Sequence, residues 1–481
     1  MTPDAPEPSP PRQPTRPPPW REIFRGRLGR LTLGLFLLEV LGAVQILIVT
    51  TVMPAVLADL GGLNLYGWAF SAAGLATVMA IPLTGTAVDR FGPARPLAIM
   101  LCVFAGGTVL AGLAPTMPIF VLGRFVQGAG AGAEYAVSVG AIAKRYPQTH
   151  RARVLALLAA AWIVPGLVGP FFGAVVAQTI GWRWAFFAPL PLLAIAAAMV
   201  FPGLAESAPE ERTETPSTGL RWPIQAAVGS GAILAGLGQL EWWSVPLAVV
   251  GAVLTVPAVR HLLVGDSPET RRSLAWALTA GFLLGFSFFT TDGFVPLMLT
   301  HLRHLTYVQA SLVITFASIA WTSGSWWQSR AVATTPLPRL VRWGGVVVAL
   351  GTAGVAAGLG GAALAIPFVA WTIAGLGMGV AYPTMYLITM ERAAPGVEGA
   401  TVALLLMIDA LGSSAGTGLG GSAIALADHL GKSLTAGLAG AFAVAFVAAL
   451  ALIAITPRLG VRRAASPPSA HGDPGATPSG A

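Results

Sequence analysis

Cysteine is all but missing from this chain: the single one, Cys102, lies inside an apolar run. A disulfide within the chain and a cysteine-ligated metal site are therefore excluded. Charge is scarce too. Asp, Glu, Lys and Arg make up 10% of the sequence, against about 25% in an ordinary soluble domain, which is too little to coat a water-exposed surface of this size. A nucleotide-binding loop is also wanting. Gly431-Lys432-Ser433 has the look of the end of a phosphate loop, but Leu426 stands where its first glycine belongs, so ATP-driven transport by this chain alone is excluded. No Ser-His-Asp constellation stands out, and no cofactor is expected. His301 and His304 have the spacing of a metal pair but no further ligand close by, so no metal site is expected.

What the chain has in excess is apolar length. Hydrophobic residues are 55% of the sequence. Apolar runs of about 18 residues or more recur, each long enough to cross a hydrocarbon core of about 30 Å as a helix. They do not alternate as the strands of a membrane β-barrel do. The expected class is therefore an all-α, polytopic membrane protein with the lipid bilayer as its solvent.

Fourteen spans are predicted, at 31–58, 67–88, 96–114, 118–143, 153–178, 184–203, 224–240, 243–260, 273–300, 307–327, 341–360, 363–388, 399–426 and 434–456. Only Glu241, Trp242 and Trp243 part the seventh from the eighth. The basic residues test the count. With the N-terminus in the cytoplasm, 24 of the 28 Lys and Arg fall in tails or loops on the cytoplasmic side. Arg183, Arg303 and Lys432 fall outside, and Arg124 falls within a span. Such a bias is what the positive-inside rule requires, and dropping one span would invert every later loop. The net charge of +8 thus reports orientation, and nucleic acid is not an expected partner. Both termini are expected in the cytoplasm. Residues 1–20 are polar and Pro-rich without an apolar h-region, so a disordered tail is expected rather than a cleaved signal. The expected organisation is a tail (1–30), a six-helix bundle (31–203), a linker with two extra spans (204–272), a second six-helix bundle (273–457) and a tail (458–481).

The two bundles look related. Residues 127–135 read QGAGAGAEY and residues 374–382 read AGLGMGVAY, with glycines and tyrosine aligned at an offset of 247. Pro54 is followed by Tyr66 after twelve residues, and Pro296 by Tyr307 after eleven. Repeated halves are a mark of secondary transporters, whose substrate site lies between them near the midplane.

Three motifs carry chemistry. The first is Gly85-Thr-Ala-Val-Asp89-Arg90-Phe-Gly92-Pro-Ala-Arg95 at the end of the second span. Gly85 allows close helix approach, Gly92 a tight turn, and Asp89 suits a helix N-terminus across the interface between halves. Arg90 and Arg95 anchor the loop in the cytoplasm. The second is Arg124-Phe-Val-Gln127-Gly128-Ala-Gly130-Ala-Gly132. Gln127 lies about 60° and Glu134 about 80° around the helix from Arg124, so the three share one polar sector. The third is Pro165-Gly-Leu-Val-Gly169-Pro170-Phe-Phe-Gly173-Ala174, whose prolines are expected to bend the helix and whose glycines permit tight packing.

With these motifs, over about residues 31–457, the chain resembles the major facilitator superfamily, in particular its fourteen-span drug:proton antiporter branch. The resemblance implies two pseudo-symmetric six-helix bundles plus two central helices. It implies that the first motif latches the halves on the cytoplasmic side, that Arg124 is associated with proton coupling, and that the Pro165–Ala174 motif marks exporters. Gly181-Trp-Arg-Trp184 adds to the likeness. The sequence departs from the branch at Gln45, nine residues before Pro54, where an acid is common; Glu39 does not occupy that position.

Four carboxylates fall within spans: Glu39, Glu134, Asp292 and Asp409. Buried charge in a bilayer costs about 2.5–3.5 kcal/mol on insertion scales for residues such as Asp, and is a functional hypothesis by default. A carboxyl group in a low-dielectric cavity takes up a proton more readily than one in water, and the same group can bind a cationic substrate. Asp409, mid-span with Ser413 and Gly416 on its stripe, and Glu134, on the face of Gln127, are the first candidates. Asp292 is placed to line the outer mouth, and Glu39 to pair with an arginine as packing. Tyr135, Tyr382, Phe288 and Phe289 are available to line an apolar cavity. The expected function is export of small amphipathic compounds, such as drugs, antibiotics or secondary metabolites, in exchange for protons, by a monomer in the cell (inner) membrane. The alternatives are a metabolite symporter or facilitator on the same scaffold, or a lipid flippase.

Overall fold

The structure, a computed structural model, describes residues 20–204, 221–237, 243–262, 268–393 and 398–460. Most of both expected tails, the stretch 205–220 and Glu241 with Trp242 lie outside the described residues.

Every regular element among the described residues is a helix. The first set is α1 (Trp20–Ile23), α2 (Gly26–Leu60), α3 (Tyr66–Phe91), α4 (Ala94–Gly112), α5 (Met117–Arg145), α6 (Gln148–Ala160), α7 (Ile163–Val176), α8 (Trp182–Phe187) and α9 (Leu190–Leu204). A pair follows, α10 (Arg221–Leu237) and α11 (Ser244–Leu262). The second set is α12 (Pro268–Leu297), α13 (Tyr307–Ala331), α14 (Leu337–Ala357), α15 (Ala365–Arg392), α16 (Glu398–His429) and α17 (Leu434–Ile455). Each of the fourteen expected spans coincides with helix, but helix alone is no crossing. Among the described residues, eight stretches are long and apolar enough to cross a membrane, and one of them, Ile163–Leu204, runs for 42 residues.

The fifth expected span is not a bent helix but a broken one. A turn at Ala161 and Trp162 separates α6 from α7, and a π-helical turn, Ala177–Gly181, ends α7. Pro165 has no N–H to bond the Ala161 carbonyl and its ring crowds that group, so the helix restarts just before it. There Pro165 stands in the first turn of α7, where a missing donor costs nothing. Pro170 is accommodated inside α7.

Glycine decides how the helices nest. A Cβ on Gly128 of α5 would collide with Ala73 of α3, and one on Gly375 of α15 would collide with Ala317 of α13. Gly132 stands against Thr77 and Ala80, and Gly379 against Trp321 and Ser325. Gly130 meets Phe104 of α4, while Gly377 meets Gly344 of α14. The aligned glycines of the two sequence repeats thus do equivalent packing in the two sets. Without side chains between them the backbones approach to van der Waals contact, which is how helices associate where lipid removes the hydrophobic drive.

The sets meet along two seams, α3 against α16 and α7 against α13. The first seam is tight at the Tyr66 end of α3. Gly67 lies against the Gly421 backbone, and the Ser71 hydroxyl lies 2.8 Å from the Ser414 carbonyl and 3.1 Å from Thr417 Oγ1. About four turns on from Ser71, nothing among the described residues lies within 4 Å of the place a Gly85 Cβ would occupy. The two helices therefore diverge toward the Phe91 end. Gly85 does not serve close packing in this conformer, contrary to the expectation for it.

Candidate functional site

The second helix set holds two carboxylates on one aromatic chain, Asp292 buried and Asp409 half-buried. Asp409 of α16 accepts a hydrogen bond at Oδ2 from the Tyr382 hydroxyl of α15, 3.1 Å away, and Tyr386 in turn donates to Tyr382 at 3.3 Å. Oδ1 of Asp409 is buried with no partner among the described residues. Gly285 of α12 makes the room, since any side chain there would strike that oxygen. A small cavity beside Asp409 is lined by Gly281, Leu284, Tyr382, Met385, Tyr386 and Leu405. From Tyr382 the rings continue edge-on to Trp321 of α13 (5.5 Å between centroids), then to Phe288 of α12 (5.3 Å), which stacks on Trp371 of α15 (4.8 Å). The indole of Trp371 donates to Asp292 Oδ1 at 2.9 Å.

Asp292 is consequently not at a mouth. It is 7% exposed, on α12, and faces a wholly buried tryptophan. The helix period carries it inward although its position along the chain is near the end of the span. Ser413 bonds the Ala410 carbonyl of its own helix, and Gly416 packs on the Phe286 backbone and Thr290 of α12. The small-residue stripe beside Asp409 is thus a packing surface. Tyr382, Phe288 and Phe289 belong to the ring cluster.

In the first set, Arg124 is 7% exposed and does not snorkel. Its Nε donates to the Ala69 carbonyl of α3 at 3.1 Å and its guanidinium donates to Gln127 Oε1. Gln127 passes the bond to Thr108 Oγ1 of α4 at 2.8 Å. A buried cation must be hydrogen-bonded, and here the partners are neutral dipoles. Glu134 is on α5 two turns beyond Gln127, and its side chain lies outside the described residues. Glu39 of α2 is half-buried and bonds no arginine among the described residues. Its Oε1 accepts from the indole of Trp162, 2.8 Å away. The broken helix supplies this partner, for Trp162 caps the restart of α7.

The loop motif ends α3. Gly92, with φ +74°, is a conformation an L side chain rarely adopts, and it turns the chain into α4. Arg90 and Arg95 are exposed, and Arg90 lies 5.1 Å from the Phe91 ring centroid. The Asp89 side chain is outside the described residues. On α7, Pro165, Gly169, Pro170 and Gly173 are all buried. Gly169 and Gly173 face Leu47, Ile48 and Thr51 of α2.

Sequence reasoning missed Trp162, Trp321 and Trp371. The available signal was that a buried carboxylate needs a donor. With fourteen tryptophans in the chain, spacing alone does not say which one reaches it.

A family model described as Major Facilitator Superfamily matches residues 35–417. The chain is 27% identical over 450 residues to the "probable multidrug-efflux transporter" of Mycobacterium tuberculosis, covering 88% of this chain and 93% of that one. It is 27% identical over 306 residues to the multidrug export protein of Haemophilus influenzae, covering 60% of this chain and 59% of that one. In fold it resembles the crystal structure of an auto-inhibited peptide transporter, with a TM-score of 0.67 at 17% identity, covering 91% of this chain and 99% of that one.

Proposed function

The chain belongs to the major facilitator superfamily, a family of multi-pass membrane transporters and not of enzymes, and from that premise we propose that it exports small amphipathic compounds in exchange for protons. In this reading it has fourteen spans: bundles at 31–203 and 273–457, and two extra helices from the 204–272 segment. Both termini are cytoplasmic, so the Tyr66 end of α3 faces outward and the described conformer is open to the cytoplasm. Closing the Gly85 end and parting the Gly67 end then gives the outward-open state.

One observation carries the reading. A half-buried carboxylate, Asp409, stands at a small cavity with one oxygen held by Tyr382 and the other buried without a partner among the described residues. Such an oxygen is a place for a proton or for a cationic group, and competition between the two is what exchange requires. The names of the efflux relatives support the direction of transport. Arg124 and Gln127, tying α5 to α3 and α4, are proposed to hold the first bundle rigid while it rocks. Glu134, Asp292 and Glu39 are further carboxylates for the proton path. Gly85, Asp89, Arg90, Gly92 and Arg95 are proposed to form the latch, and Pro165, Gly169, Pro170 and Gly173 to set the α2–α7 packing of an exporter.

The test uses inside-out vesicles with an imposed pH gradient and a fluorescent pH probe, in wild type and Asp409→Asn. Collapse of the gradient by an added amphiphile in wild type alone supports exchange through Asp409. Unchanged activity in the variant moves the role to another carboxylate. Passive solute exchange without proton movement overturns the exporter reading in favour of a facilitator.

A further inference from the structure

The hairpin of α13 and α14 gathers side chains that the proposed transport cycle does not use. The end of α13 presents Trp326, 65% exposed, and Trp327, 46% exposed, and the start of α14 presents Trp343, 45% exposed. The rings of Trp327 and Trp343 lie 6.3 Å apart between centroids, across the hairpin. The Arg330 guanidinium lies 3.5 Å over the Trp326 ring and donates to the Trp326 carbonyl at 3.0 Å. Arg339 and Arg342 are exposed on the first turns of α14 and, three residues apart, share one side of it.

The charge of this hairpin is all of one sign. The sequence has no Asp or Glu between Asp292 and Glu391, so α13, α14 and the loop joining them contain none. Glu391, exposed at the end of α15, is the first acid that follows. Arg339 also stands in the first turn of its helix, where the macrodipole is positive and a basic residue is disfavoured, and no acidic residue occupies that turn. Orientation in the membrane asks only for basic residues in the loop. It does not require three uncovered indoles beside them, or an arginine laid on one of the rings.

We propose that the α13–α14 hairpin binds an anionic phospholipid, with Arg330, Arg339 and Arg342 on its phosphate and Trp326, Trp327 and Trp343 against its glycerol and upper acyl chains. A phosphate diester offers the paired oxygens that a guanidinium fork matches. Indoles settle at the boundary between hydrocarbon and headgroups, which sets the three arginines at the depth of the lipid phosphate. Stacking on Trp326 holds Arg330 in place before the lipid arrives, so less side-chain freedom is lost on binding. A zwitterionic lipid brings its own cation to the same spot and gains far less. The reading of the chain as an exporter enters only in placing the hairpin at the cytoplasmic leaflet. The choice of lipid does not depend on what is transported.

The experiment counts bound lipid on the full chain. Purified protein in detergent is equilibrated with equal amounts of dioleoyl phosphatidylglycerol and dioleoyl phosphatidylcholine, and native mass spectrometry reads which lipid is retained. Wild type is expected to hold the anionic lipid at least about fivefold more often. Arg339→Gln with Arg342→Gln is expected to bring the two lipids level. Arg339→Lys with Arg342→Lys keeps the charge and loses the fork, so an intermediate ratio is expected, and this pair decides the matter if the glutamine variant does not fold. Trp326→Leu frees Arg330 and is expected to lower the ratio about threefold. Arg25→Gln with Arg30→Gln removes the same charge from exposed positions on the other helix set and is expected to change nothing. Equal retention of the two lipids by wild type, undiminished preference in both Arg339/Arg342 variants, or an equal loss in the Arg25/Arg30 variant would each overturn the proposal. Displacement of the lipid by inorganic phosphate would show a site for small anions and would overturn it as well. The exporter reading is scored separately, by proton movement in the vesicle assay, and stands or falls without this result.

Discussion

Trp371 and Asp292 are joined by an indole hydrogen bond of 2.9 Å between α15 and α12, with the tryptophan fully buried. The bond gives a prediction for stability. Trp371→Phe keeps a ring on Phe288 but leaves the carboxylate without its donor, which costs about 1–3 kcal/mol. Asp292→Asn retains an acceptor oxygen and is expected to cost less. Thermal unfolding of the purified protein in detergent checks this, and a larger loss in Asp292→Asn than in Trp371→Phe would contradict it.

Tyr382 is expected to tune Asp409 without replacing it. Tyr382→Phe removes the 3.1 Å bond to Oδ2 and leaves both carboxylate oxygens bare. The pH profile of substrate-driven proton movement should shift in Tyr382→Phe, while Asp409→Asn abolishes the movement. An unaltered profile in Tyr382→Phe would show the bond to be packing only.

Arg124 makes two directed bonds from one planar group, to Ala69 and to Gln127. A lysine offers a single point charge and cannot keep that fork. Arg124→Lys is therefore expected to unfold at a lower temperature, and Gln127→Leu, which leaves a buried guanidinium less satisfied, to do so by about 1–3 kcal/mol. Thermal stability equal to wild type in both variants would refute a bracing role.

Gly85 separates folding from switching. Nothing stands within 4 Å of its Cβ direction, whereas Gly128 and Gly375 face backbone at contact distance. Gly128→Val and Gly375→Val are expected to destabilise strongly through overpacking. Gly85→Val is expected to leave unfolding in this conformer unchanged and to slow transport, because the opposite conformer must close this end. Full transport by Gly85→Val would sink that account of the loop.

Much was legible from residue order. Apolar runs fell where helices formed, the glycine repeats at 128–132 and 375–379 do matching work in the two sets, and Gly92 turns the chain where its motif put it. The expectations that failed share one cause. Depth along the span places Asp292 at the mouth, and charge pairs Glu39 with an arginine, yet each takes a tryptophan donor, 79 and 123 residues away in the chain. The motif makes Gly85 a packing glycine, but its neighbour depends on the angle at which α3 leaves α16.

Composition and periodicity by themselves determined that this chain is helical and membrane-spanning and pointed to its repeat, because those properties follow from local hydrophobicity and spacing. Which carboxylates are partnered, which glycine packs, and which end of the α3–α16 seam is tight were decided by the tertiary structure alone. They depend on distances between helices far apart in sequence. In a chain with 14 tryptophans and 58 glycines, many pairings satisfy the same local pattern, and only one set of crossing angles brings Trp371 to Asp292 and Trp162 to Glu39.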